Sequence, residues 1–180
     1  MSLRDKVTKE IGELFAQQSD YIWWEAETTK LTESPIETAF LVALEGMGRI
    51  AYTDVIISEK DESDSYFDSV RHADTYWIYV TPQAQIGDYR VDFLISFGAG
   101  DRKDTLIVEC DGHDFHDRTH FQASRDRERD RFLVSSGHKV FRFTGTDINR
   151  RAIECANEVL MFIRIRQNDH LRRQLKVVGT

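Results

Sequence analysis

An almost wholly apolar run at residues 105–110 (TLIVEC), followed at once by Asp111 and Gly112, constrains the fold of this chain more than any other segment. A short run of this kind, rich in β-branched residues, is typical of a strand buried on both faces of a sheet. Glu109 and Asp111 are two positions apart, so on an extended strand both point to one face. We therefore expect a helix-covered sheet with carboxylates where this strand ends.

Segments with strand or helix character surround this run. β-Forming residues predict further strands at 50–57, 75–81, 89–96 and 138–143, with Gly98 and Gly100 marking a turn before 105–110. Helical spacing and end signals predict helices within 3–27, from Ser34 to Gly46 or Gly48, over about 119–136, and from Thr146 or Asp147 to about 166. The sequence thus predicts one mixed α/β domain whose longest loop, at 58–74, holds a solvated acidic stretch.

Ser34 begins the second of these helices with a clear start signal. Serine is a favourable N-cap, Pro35 suits the first helical position, and Glu37 completes an S-x-x-E capping box. Capping alone would explain the position of Glu37, and capping does not exclude a part in a functional site.

Composition limits the class of protein. The chain has 180 residues, of which 41% are hydrophobic, and this is enough for one domain with a real core. No apolar run approaches the ~18 residues of a membrane helix. The first residues contain no apolar signal core, so we expect a cytoplasmic protein with no membrane contact. Two cysteines in such a chain argue against a disulfide framework.

The net charge of −7 is unevenly distributed along the chain. Residues 1–90 contain 17 acidic and 8 basic side chains, whereas residues 91–180 contain 14 and 16, and residues 161–176 are strongly basic. A local basic face that binds nucleic acid is therefore compatible with the acidic total.

Asp92 lies inside the apolar segment 89–96 (YRVDFLIS), where an unpaired carboxylate would be costly. If the turn at 98–100 joins this strand antiparallel to 105–110, Asp92 and Glu109 meet at matching strand ends. Carboxylate oxygens with no second sulfur nearby suit Mg²⁺ or Mn²⁺. Such an ion can activate water and hold a phosphate oxygen. These residues predict a site for phosphodiester hydrolysis.

The motifs SPIE (34–37), PQ–IG–YRVDF, IVECDG–FH, RDRERDRFL and KVFRFT occur in an order and at spacings that resemble the PD-(D/E)XK nuclease superfamily, over residues 37–150. The resemblance is closest to the small branch similar to very-short-patch repair endonucleases, which is also found fused to helicases. It implies a restriction-endonuclease-like core of αβββαβ order, with a mixed central sheet flanked by helices. The expected single domain, 1–180, has a helical extension at 1–33, the nuclease-like core at 34–150, and a C-terminal helix and basic tail at 151–180.

The same resemblance implies a Mg²⁺- or Mn²⁺-dependent endonuclease that hydrolyses DNA, with RNA as a substrate and a homodimer or helicase partner left open. It implies catalytic positions for Glu37, Asp92 and Glu109 around the metal ion, which Asp92, Glu109 and the Cys110 backbone carbonyl ligate, and it matches Gln83 to a glutamine of this branch. We further expect catalytic positions for Asp111 and His116, and substrate contacts from Gln83, Arg125 and Arg129. Asp111 stands where the superfamily commonly has lysine, whereas E-x-D-G is usual in this branch. His116 is the first candidate to orient the attacking water instead, and Arg125 or Arg129 the second.

Other interpretations of these residues remain open. A nuclease-fold module could bind nucleic acid or a protein partner without cutting, which the acidic net charge favours. One cysteine and three histidines have a spacing that zinc could use: Cys110, His113, His116 and His120. The Cys110 side chain, however, should point into the core. The charged run 125–131 could be a solvated helix face with ion pairs at i,i+3.

Overall fold

The structure is a computed structural model that describes residues 29–51, 53–70, 75–112 and 120–178, together with residues 13, 16, 17, 20, 21, 23 and 24. At 54, 120–124, 126 and 173–178 it describes the backbone alone. These ranges contain helix α1 (Pro35–Ile50), strand β1 (Asp54–Ile57), helix α2 (Ser63–Val70), strands β2 (Tyr76–Ile86), β3 (Tyr89–Ala99) and β4 (Arg102–Asp111), helix α3 (His120–Ser135), strand β5 (Lys139–Thr144) and helix α4 (Gly145–Val178). The seven upstream residues are helical, and the rest of the helix predicted within 3–27 lies outside the described residues.

The five strands form one sheet in the order β1-β2-β3-β4-β5. Strands β2, β3 and β4 are an antiparallel meander, β1 runs parallel to β2, and β5 runs parallel to β4. A parallel neighbour needs a crossover connection, and α3 supplies it between β4 and β5. The predicted α+β class with a mixed, helix-flanked sheet is confirmed. The structure differs from the predicted αβββαβ order in one respect: strand β1 and helix α2 follow α1 before the three-stranded meander.

Two apolar clusters cover the two faces of the sheet. The larger cluster lies against α1 and α4 and includes Phe40, Phe93 and Val159. The smaller cluster includes Ile107 and Leu133, which belong to β4 and α3. Helices therefore shield both faces, as a central strand of apolar residues requires.

Strand β4 contributes side chains to both clusters. Leu106, Val108 and Cys110 belong to the larger cluster, whereas Ile107 belongs to the smaller one. Because successive side chains alternate along a strand, Glu109 points towards α3. Residues 106–110 are all buried, so the prediction of a central strand is confirmed.

Helix α1 is longer than the sequence predicted. It passes through Gly46 and Gly48 and ends at Ile50, so the strand predicted from residue 50 begins only at Asp54. A Cβ atom at Gly48 would lie 2.3 Å from Cγ2 of Val55 on β1. Gly48 therefore allows a close approach of helix and sheet and does not end the helix, which corrects the prediction.

The segment predicted as a loop at 58–74 contains helix α2. The rings of Tyr66 and Phe67 pack on Trp77 with centroid distances of 5.6 and 5.9 Å, and Ser63 is buried. The prediction of a solvated loop was wrong here because aromatic residues inside the acidic stretch cover β2.

The turn between β3 and β4 is shorter than predicted. Gly100 lies in it with φ 56°, but Gly98 belongs to β3 and pairs with Lys103 and Trp77. A Cβ atom at Gly98 would lie 2.7 Å from the Trp77 indole, which explains the glycine inside a strand.

Helix α3 matches its prediction, and Gly137, with φ 87°, follows its end as a glycine C-cap does. Helix α4 begins earlier than predicted, because Thr144 provides the capping box. The Thr144 hydroxyl accepts from the Asp147 N–H at 3.1 Å, and the Asp147 carboxylate accepts from the Thr144 N–H at 3.2 Å. The helix continues to Val178, past the predicted end at 166, with one non-helical residue at Arg151.

In the described part of the chain, no helix is both long and apolar enough to cross a membrane.

Candidate active site

Strands β3 and β4 separate where the candidate site lies. Their antiparallel ladder ends at the pair Phe93–Val108, one residue before Asp92 and Glu109. Strand β4 nevertheless continues to pair with β5. Beyond the end of the ladder, the backbone N–H of Cys110 donates to Oδ2 of Asp92 at 2.7 Å. The side chain of Asp92 thus connects the two strands and lies next to the Glu109–Cys110 peptide.

Strand β2 is distorted at the same level of the sheet. Gln83 has φ 52°, in the left-handed region that residues other than glycine rarely adopt. The β2–β3 register runs from Pro82–Phe93 to Ala84–Val91 without a pair between Gln83 and Asp92. The side chains of both strands also switch between the two faces of the sheet at this point. Val80 and Phe93 belong to the larger cluster, whereas Ala84 and Val91 belong to the smaller one. Such local strain is common at functional sites.

Glu37 is buried at the start of α1, and both of its carboxylate oxygens accept hydrogen bonds. Oε1 accepts from the Ser34 hydroxyl at 2.6 Å, and Oε2 accepts from the Glu33 N–H at 2.9 Å and from Nε2 of Gln83 at 2.7 Å. The Glu37 N–H donates to the Ser34 hydroxyl at 3.4 Å, so the predicted helix cap is present. Glu37 therefore connects the capped start of α1 to the distorted part of β2.

Glu109 is only 3% exposed and is paired with a residue of α3. Nη2 of Arg129 donates to Oε1 of Glu109 at 2.5 Å and to the backbone carbonyl of Arg90 at 2.8 Å. The Arg129 side chain is itself 20% exposed. One guanidinium thus joins α3 to both strands at the point where they separate.

The pKa values of Asp92 and Glu109 are higher than those of surface carboxylates. Burial raises the pKa of Asp92 to about 6, and the nearby charge of Glu37 adds to this rise. Burial raises the pKa of Glu109 to about 7 against the opposing effect of Arg129, and the charge of Asp92 adds to this rise as well. The carboxylates of Glu37, Asp92 and Glu109 also repel one another, and a cation bound between them would relieve that repulsion.

Asp111 is half-buried at the end of β4, and its Oδ2 atom lies 3.7 Å from Nη1 of Arg142 on β5. Arg142 also pairs with Asp130 of α3 and stands opposite Glu109 in the parallel register. Arg142 was not predicted from the sequence, because only the parallel register of β4 and β5 brings it opposite Glu109.

The side chain of Cys110 points away from the carboxylates. It packs in the larger cluster, where burial raises the pKa of the thiol. This is the orientation that the sequence analysis expected from strand alternation, and it does not favour the zinc alternative.

The remaining predicted residues lie on or before α3. Arg125 is exposed one turn before Arg129. His113 and His116 lie outside the described residues, and His120 is described by its backbone alone. The parts predicted for these histidines stay predictions, as do a homodimer and a helicase partner.

Asp92, Glu109 and the Cys110 carbonyl supply oxygen atoms of the kind that Mg²⁺ and Mn²⁺ prefer. Within the described ranges, Oδ1 of Asp92 and Oε2 of Glu109 receive no hydrogen bond. Nowhere in those ranges do three carboxylate, thiol or imidazole groups form a complete site. These oxygen donors fit Mg²⁺ or a similar ion, which proteins hold through one or two carboxylates. Water and phosphate oxygens then fill the remaining ligand positions.

A mixed sheet that opens beside two carboxylates, with a last strand returned by a crossover helix, is consistent with a restriction-endonuclease-like core. The family model REase_MTES_1575 matches residues 70–163, just over half of the chain, and the chain belongs to this restriction-endonuclease-like family. The matched residues include Asp92, Glu109 and Arg129. No curated protein and no solved structure matches the chain. Membership of this family indicates a nuclease.

Proposed function

We propose that the protein is a Mg²⁺- or Mn²⁺-dependent endonuclease that hydrolyses phosphodiester bonds of DNA. One observation carries this proposal: Asp92, bonded to the Cys110 N–H, lies beside Glu109 where β3 and β4 separate. The mutual repulsion of the carboxylates, which contributes to their raised pKa values, supports a cation site between them. The E-x-D-G sequence at 109–112 supports the branch similar to very-short-patch repair endonucleases.

Asp92, Glu109 and the Cys110 carbonyl would hold the metal ion. When bound, such an ion polarises a phosphate oxygen and lowers the pKa of bound water. Glu37 adds negative charge next to Asp92 and holds the amide of Gln83. We assign the other N–H of the Gln83 amide and its amide oxygen to contacts with the substrate.

The position occupied by lysine in much of the superfamily is Asp111, which cannot serve as a cation. We assign the orientation or deprotonation of water to His116, a residue type able to do both near neutral pH. Arg129 and the exposed Arg125 are assigned to DNA phosphates, to which a guanidinium can donate two parallel hydrogen bonds. Asp111 would hold Arg142 next to Glu109.

A module that binds nucleic acid without cutting it is the second candidate. The Arg129–Glu109 ion pair favours it, because this pair neutralises a buried carboxylate without any metal ion. The two candidates differ in whether DNA is cut, so they can be separated by one assay.

The assay is nicking of supercoiled plasmid in the presence of Mg²⁺, Mn²⁺ or EDTA. The wild-type protein should nick with a metal ion and not with EDTA. Glu109→Ala should abolish nicking, while Glu128→Ala, which removes an exposed carboxylate of α3, should leave it intact. DNA binding without nicking under all three conditions would contradict the proposal and favour the binding module.

A further inference from the structure

The guanidinium of Arg129 supplies the positive charge that lies beside the Glu109 carboxylate. It is the one hydrogen-bond donor to the Glu109 carboxylate among the described residues, at 2.5 Å. The same Nη2 atom also donates to the carbonyl of Arg90 at 2.8 Å, so the guanidinium is fixed by two strands.

The ion pair between Arg129 and Glu109 stabilises a buried charge in the metal-free protein. A carboxylate that is only 3% exposed must be neutralised or paired, and Arg129 supplies one positive charge. A divalent ion bound to Glu109 and Asp92 would bring two more positive charges close to the guanidinium. The repulsion between them would weaken the binding of the metal ion as long as Arg129 stays on Glu109.

We propose that Arg129 is the counter-ion of Glu109 in the metal-free protein, and that a divalent cation binds fully only when Arg129 is released to a phosphodiester group of the substrate. The inference rests on the proposed function, because it assumes that the metal ion binds to Glu109. A phosphate group is the fitting acceptor, since a guanidinium matches its geometry with two hydrogen bonds. Arg129 thereby couples metal binding to the presence of DNA.

Calorimetric titration of the full chain with Mn²⁺ in the absence of DNA tests this coupling. Arg129→Gln should bind Mn²⁺ on the order of tenfold more tightly than the wild type, because a positive charge beside the ion is removed. Arg127→Gln is the matched control: it removes an exposed charge of the same helix and should change the affinity by less than about twofold. Arg129→Lys, which keeps the charge and loses the guanidinium that donates to Glu109 and Arg90, should fall between wild type and Arg129→Gln.

The outcomes separate the inference from the proposed function. If the wild type binds Mn²⁺ and Arg129→Gln binds it no more tightly, the inference is wrong and the metal site stands. If neither binds Mn²⁺, both are wrong. With a phosphorothioate duplex present, the difference between wild type and Arg129→Gln should shrink, and an unchanged difference would overturn the release to phosphate.

Discussion

The carboxylate of Asp92 accepts a hydrogen bond from the backbone N–H of Cys110 at 2.7 Å, just beyond the last pair of the β3–β4 ladder. A buried N–H without a partner is costly, so strands cannot separate inside a protein unless something replaces their hydrogen bonds. Asp92 does this with one oxygen atom and keeps the other free of donors from the described residues. The opening of the sheet and the candidate metal site therefore depend on the same side chain.

The pKa shifts predict that stability falls as the pH rises. Burial raises the pKa of Asp92 from 3.8 to about 6 and that of Glu109 from 4.5 to about 7. The folded protein then binds more protons than the unfolded chain between about pH 4 and pH 7, so the free energy of unfolding decreases across this window. For Glu109 the effect amounts to roughly 3 kcal/mol.

Urea unfolding between pH 4 and pH 8, without metal ions, measures this dependence. Glu109→Gln should flatten the curve, because a neutral amide has no proton to lose. Asp88→Asn, a change in an exposed turn, should leave the slope as it is. An equal slope in Glu109→Gln and the wild type would show that the carboxylate is not disfavoured in the folded state.

His116 should affect the chemical step more than metal binding. General acid–base help is worth about 10²- to 10⁴-fold in rate, so His116→Ala should slow plasmid nicking by about that factor while its Mn²⁺ affinity stays near the wild-type value. Asp92→Ala should lose both nicking and Mn²⁺ binding. Wild-type nicking by His116→Ala, together with an inactive Arg125→Ala or Arg129→Ala at saturating DNA, would move this role to α3.

The left-handed backbone of Gln83 should be measurable as strain. Glycine adopts φ 52° without the Cβ clash of other residues. Gln83→Gly and Gln83→Ala both remove the hydrogen bond to Glu37, but only glycine relieves the backbone, by about 1–2 kcal/mol. In urea unfolding the glycine variant should therefore be the more stable of the two. Equal stability would mean that the backbone relaxes when the side chain is lost.

Two glycines of α1 provide a matched pair. Gly46→Ala should stabilise the protein by about 0.5–1 kcal/mol, because a Cβ atom there has nothing within 4 Å and alanine is the better helix former. Gly48→Ala should destabilise it by about 1–3 kcal/mol, since its Cβ would lie 2.3 Å from Val55. Thermal unfolding of both variants measures this difference, and stabilisation by both would contradict the close contact of α1 with β1.

The parts of the fold that follow from local patterns could be predicted from the sequence. The apolar run 105–110 indicated a central strand, and the end signals at Ser34 and Gly137 were placed correctly. Helix α2 and the passage of α1 through Gly48 were not predicted. Both depend on contacts with side chains of neighbouring strands, Trp77 and Val55, which the periodicity of the helix itself does not contain.

The candidate site could likewise be predicted only where local patterns determine it. The proximity of Asp92 to Glu109 followed from two antiparallel strands and a turn between them, all of which the sequence suggests. The place of Arg142 beside Asp111 depends on the register of the parallel strands β4 and β5, which no short motif specifies. The pairing of Arg129 with Glu109 similarly depends on how α3 packs, so the sequence indicated a phosphate contact or a part in orienting water for Arg129, but not this ion pair.

The most direct test of the central claim is a crystal of the protein in complex with a phosphorothioate DNA duplex, soaked in Mn²⁺ and examined for anomalous scattering. The account predicts a peak at about 2–2.6 Å from oxygen atoms of Asp92 and Glu109, the range of hard-cation ligand distances. Asp92→Asn soaked in the same way should weaken or lose this peak. A wild-type complex with the duplex at millimolar Mn²⁺ and no peak between these two carboxylates would contradict the account.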